Sequence, residues 1–62
     1  MKKETEGYFV IKFKNEEKYV SDNWYGYTNI IEDATPFETR TKAYKYMREN
    51  NLDKEYVIVE IK

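Results

Sequence analysis

YFVIKFK, residues 8–14, alternates two sets of side chains along one short run. Phe9, Ile11 and Phe13 fall on one side, and Tyr8, Val10, Lys12 and Lys14 on the other. A period of two is the mark of a half-buried strand. EYVIVEI, residues 55–61, has the same character and is rich in β-branched residues. Its alternation predicts Val57, Val59 and Ile61 on the core side and Tyr56 and Ile58 on the far side. Two long strands at opposite ends of a short chain pair most simply with each other, and the residues between them must supply the rest of the fold.

Working inward, Asn15-Glu16-Glu17 makes a turn, and Lys18-Tyr19-Val20-Ser21 a short second strand. Asp22-Asn23 gives a second turn signal. WYGYT, residues 24–28, reads as a third strand, with Gly26 marking a bulge or a close backbone approach. Ile31-Glu32-Asp33-Ala34 forms one helical turn, which Pro36 ends by holding Thr35 extended. Phe37 leads into the main helix. Thr39 is placed to cap it, because its hydroxyl can accept from an otherwise orphaned first-turn amide. From Arg40 to about Asn50 the run RTKAYKYMREN carries Ala43, Tyr46 and Met47 on one stripe, with Leu52 just beyond. Asn50-Asn51 supplies a residue able to take the left-handed conformation that closes helices.

The expected fold is therefore α+β: a small β-β-β-α-β domain with a mainly antiparallel sheet and one helix packed on one face. Residues 1–7 (MKKETEG) read as a flexible tail and residues 8–62 as a single domain. Phe9, Ile11, Phe13, Tyr27, Phe37, Ala43, Met47, Leu52, Val57 and Val59 are the expected core. A chain of 62 residues has little surface to bury, so each large core side chain counts.

Several functions are excluded by composition. The chain has no histidine and no cysteine. Without them a Cys/His zinc site, a disulfide and the usual nucleophile–base pairs cannot be built. The only serine, Ser21, has no base to activate it, and the two glycines, Gly7 and Gly26, make no phosphate-cradling loop. The expectation is no enzyme, no cofactor and no bound metal. No apolar stretch is long enough to span a membrane, and the absence of cysteine fits a reducing, cytoplasmic setting.

What remains is aromatic surface and charge. Seven tyrosines, three phenylalanines and one tryptophan give the chain a large aromatic content. With one helix covering one sheet face, Tyr8, Val10, Trp24, Tyr56 and Ile58 are expected to share the uncovered face. Such a patch suits a protein partner or a homodimer; the plain alternative is that the same residues only cover an open sheet. The helix carries Arg40, Lys42, Lys45 and Arg48, a weaker candidate strip for phosphates. A nucleic-acid-binding domain using these cations and the sheet aromatics is the alternative class. Against it, residues 15–38 hold six carboxylates and only Lys18, and the whole chain has a net charge of −1.

Phe9-Val10-Ile11-Lys12, Lys18-Tyr19-Val20-Ser21, Gly26-Tyr27-Thr28, Ala34, Phe37, Thr39, Ala43 and Tyr56-Val57-Ile58-Val59-Glu60 together resemble short phage and prophage-type proteins of unknown function. The likeness spans most of the chain after residue 8. Where that pattern often has a capping aspartate before the helical turn, this chain has Ile30. The resemblance implies a viral or mobile-element accessory protein; the expected aromatic face adds that it binds a host protein or its own copy. The resemblance carries over no functional residue.

Overall fold

A computed structural model of the chain describes residues 7–62. The elements run β1 (Tyr8–Phe13), β2 (Tyr19–Val20), β3 (Tyr27–Thr28), a single 3₁₀ turn (Ile31–Asp33), α1 (Arg40–Glu49) and β4 (Tyr56–Ile61). They form one antiparallel sheet in the order β3-β2-β1-β4. The first and last strands pair along their full length, from Tyr8 opposite Ile61 to Phe13 opposite Tyr56. The small α+β domain expected from the periodicities is the fold found.

The helix begins and ends where its capping residues dictate. Thr39 is extended, and its hydroxyl accepts the Lys42 amide at 3.1 Å. At the other end Asn51 takes a φ of 58°, and the Leu52 amide returns to the Met47 carbonyl at 2.8 Å. Ala43 and Met47 are buried against Ile11 and Val20, with Phe9, Phe37, Tyr46, Leu52, Tyr56 and Ile58 packed around them. Gly7 already belongs to this packed unit: a Cβ there would run into the Ile61 carbonyl. The rest of the predicted tail, residues 1–6, lies outside the described residues.

The face opposite the helix is not bare. Val10, Tyr19 and Ala34 form a second buried cluster, flanked by Tyr8, Ile31, Val59 and Ile61. Residues 31–37 supply the cover. The Ser21 hydroxyl donates to the Asp33 carbonyl at 3.1 Å, and the Thr35 amide donates to the Val20 carbonyl at 3.0 Å. Phe37 then exchanges both backbone bonds with Phe9, on the side of β1 that the short β2 leaves unpaired. The 3₁₀ turn starts without a side-chain cap at Ile30; its amide donates instead to the Thr28 hydroxyl at 3.1 Å. So the segment of least obvious periodicity becomes the second wall of the core.

Three sequence expectations are corrected. The third strand is confined to Tyr27–Thr28, and residues 24–26 form the turn before it. Strand β4 also lies the other way over. Ile58 stands opposite Ile11 and Tyr56 opposite Phe13, on the helix side, whereas Val57, Val59 and Ile61 take the far side with Lys12, Val10 and Tyr8. Finally, Val57 and Tyr27, both expected in the core, are exposed. The helix contacts β1 and β4, and Tyr27 on β3 lies beyond its reach with Lys18 Nζ 4.5 Å from its ring centre.

Tyr19 links the second cluster to solvent pH. Its ring is buried and its hydroxyl donates to Glu17 Oε1 at 2.9 Å. That bond, then burial, then the charges of Glu17 and Glu32 raise its pKa above the usual tyrosine value. Because the folded value lies above the unfolded one, the stabilisation is complete below about pH 10 and fades as pH climbs through the folded pKa. Alkaline denaturation curves of wild type and Tyr19→Phe should therefore converge above about pH 10. A constant gap through that range would contradict this assignment.

Candidate functional site: an aromatic hairpin tip

The β2–β3 connection is a turn built from its own polar groups. The Asn23 side-chain oxygen accepts the amides of Tyr25 and Gly26, each at 2.9 Å, while its side-chain nitrogen donates to the Tyr27 carbonyl at 2.9 Å. The Asn23 amide donates to the Ser21 hydroxyl at 3.3 Å, tying the turn to the residue that also holds Asp33. The Gly26 amide returns to the Asn23 carbonyl, and its carbonyl accepts the Ser21 amide. Gly26 has a φ of 83°, a conformation that any side chain would strain. Asparagine first and glycine last is the chemistry such a closed turn requires.

This ordered turn holds large aromatics out in solvent. Trp24 is 93% exposed and Tyr25 74% exposed. Behind them the rings of Tyr25 and Tyr27 lie 6.3 Å apart at 54°, and Ile30 is exposed as well. Asn23, Tyr25, Tyr27, Thr28, Asn29 and Ile30 line a shallow groove of about 300 Å³ beside the tip. The hydrogen bonds order the backbone that carries Trp24, so little backbone freedom is lost on binding, while the indole itself stays hydrated and uncontacted.

The five residues expected to form one interaction face do not come together. Trp24 sits at the hairpin tip. Val10 is completely buried beneath the 3₁₀ segment, with Tyr8 half-buried beside it. Tyr56 and Ile58 belong to the opposite, helix-covered side, where the Tyr56 ring packs 5.2 Å from that of Phe13. The exposed aromatic surface is instead local to one loop, and Tyr25, Tyr27 and Ile30 complete it. Sequence alternation missed this grouping because a turn does not alternate. The signal present was the Asn23–Gly26 spacing, which marks a turn rather than a strand.

The basic strip is partly engaged. The Arg40 guanidinium lies 5.2 Å from the Phe9 ring centre and that of Arg48 5.9 Å from Tyr44. Lys42 bonds Glu38 at 2.8 Å, and this bond holds the exposed Glu38 carboxyl below its usual pKa. Lys45 lies on the helix surface beside Tyr44 and Arg48. Among the described residues no three acidic side chains gather as a metal-holding group, and no helix is long and apolar enough to cross a membrane. No protein-family model, no curated protein and no solved structure matches this chain.

Proposed function

We propose that the chain is a small non-catalytic protein-interaction module, a phage or prophage-type accessory factor that grips a host protein through its hairpin tip. The observation that carries this is Trp24, almost wholly exposed on a turn whose backbone is pinned by Asn23 and Gly26. Tryptophan and tyrosine are among the residues that dominate binding energy when they enter a partner's pocket. Asp22 adjoins the tip in sequence, and Glu16, Glu17, Glu32 and Asp33 belong to the same acidic segment. Such surroundings disfavour phosphate and favour a partner whose pocket has a basic rim.

Quantitative affinity capture from a bacterial lysate, with wild type and Trp24→Ala side by side, tests the proposal. A hot-spot loss of about 2 kcal/mol or more should reduce capture of a retained host protein at least about tenfold. Thermal stability should stay unchanged, since so exposed a side chain contributes little to folding. Equal capture by both proteins would refute the role of the tip. A tight, salt-sensitive shift of a single-stranded oligonucleotide would instead favour nucleic acid, with the tip aromatics stacking on bases.

A further inference from the structure

Strand β4 is the last strand of the sheet, and among the described residues no other strand lies beyond it. The alternation of backbone groups shows what this edge offers. The Lys14 amide bonds the Glu55 carbonyl, so Glu55, Val57, Val59 and Ile61 direct their backbone groups towards β1. Ile58, Glu60 and Lys62 therefore turn their amides outward, and Tyr56, Ile58 and Glu60 their carbonyls. The Tyr56 amide is already donated to Leu52 at 3.0 Å. Natural edges are usually blunted by proline, a bulge, an inward-pointing charge or a very short strand. This one is six residues long, pairs with β1 without a bulge, and carries Glu60 as its only charge.

The geometry points to a second copy of this chain as the occupant of that edge, joined by antiparallel β4–β4 pairing about a two-fold axis. Of the symmetric registers, none satisfies more groups than the one centred on Val59. It sets Ile58 against Glu60 of the second copy, each donating and accepting, and lets the Lys62 amide donate to the Tyr56 carbonyl. A register centred on Ile58 makes fewer bonds, because the Tyr56 amide is already engaged. One centred on Glu60 would set the two carboxylates against each other. The Val59 register also lines Val57 with Ile61 and Val59 with itself, an unbroken β-branched ladder on the far face. Val57, 39% exposed in the single chain, would then be covered.

The contact needs nothing from the hairpin tip, which lies at the other end of the strand order. The dimer would carry its two tips at opposite ends of one continuous sheet, presenting Trp24 twice.

Light scattering and amide exchange on the full chain test this. Wild type should be a dimer at about 100 μM, with protection at the Ile58, Glu60 and Lys62 amides that disappears on dilution. Glu60→Pro removes an outward donor without touching a bond to β1 and should weaken self-association at least about thirtyfold. Val57→Lys, at a site the single chain leaves exposed, should do the same if the proline variant does not fold. Trp24→Ala should leave the dimer intact, so failure here and failure of the tip are separable. A wild-type monomer at that concentration overturns the inference. So does a dimer that tolerates a folded Glu60→Pro and Val57→Lys.

Discussion

Ile11→Ala should cost about 3–4 kcal/mol of folding stability, most of what a domain of this size possesses. Ile11 is completely buried at the point where the sheet meets the helix, between Val20, Ala43 and Met47 and opposite Ile58. Removing its outer carbons leaves a cavity that cannot easily collapse, because the surrounding β1, β4 and α1 backbones are fixed by their own hydrogen bonds. Urea unfolding followed by circular dichroism measures the loss. Ile11→Val is the control and should cost about 1 kcal/mol. Val10→Ala is equally informative, because Val10 is just as buried on the other face. Its expected cost of about 2 kcal/mol would show that the 3₁₀ side is a true second core layer. A midpoint for Ile11→Ala close to wild type would mean that the helix does not rest on this residue.

Asn23→Ala is the second large effect, and it joins stability to the proposed function. The side chain holds the Tyr25 and Gly26 amides and the Tyr27 carbonyl at once, so alanine removes all three bonds. The groups released are exposed and water replaces the lost partners, which keeps the stability cost to about 1–2 kcal/mol. The effect on the tip should be the more specific one. A freed turn must be ordered again when Trp24 docks, and binding should weaken about tenfold even though Trp24 itself is unchanged. Asn23→Asp separates the two contributions. A carboxylate still accepts from both amides but cannot donate to Tyr27, so it should fall between wild type and alanine. If Asn23→Ala binds as wild type does, preorganisation of the turn plays no part.

The local elements were legible because each is written in neighbouring residues. The alternation at 8–14 and 55–61, the Thr39 cap and the left-handed Asn51 all depend on chemistry within a few positions, and the structure has them in place. That the first and last strands pair was the expectation their matching lengths favoured, but the antiparallel sense of the pairing came from the tertiary structure. Which side of β4 meets the helix was not. Period two divides YVIVEI into two sets, and with apolar residues in both nothing local says which set faces inward. That choice was made by the turn at 51–55, which delivers Glu55 to Lys14 and so puts Ile58, not Val57 or Val59, beside Ile11.

Coverage was the other decision left to tertiary structure. Residues 31–37 show no strong periodicity, yet they close the face that the helix leaves open, because short β2 leaves the Ser21 hydroxyl, the Val20 carbonyl and the Phe9 backbone free to hold them. With that cover Val10 is buried, and the expected aromatic face dissolves. By itself the sequence determined the element order, the caps and the absence of the residues that most catalytic and zinc sites require. The tertiary structure decided which aromatics solvent sees, because exposure depends on what packs above a side chain and not on its place in the chain.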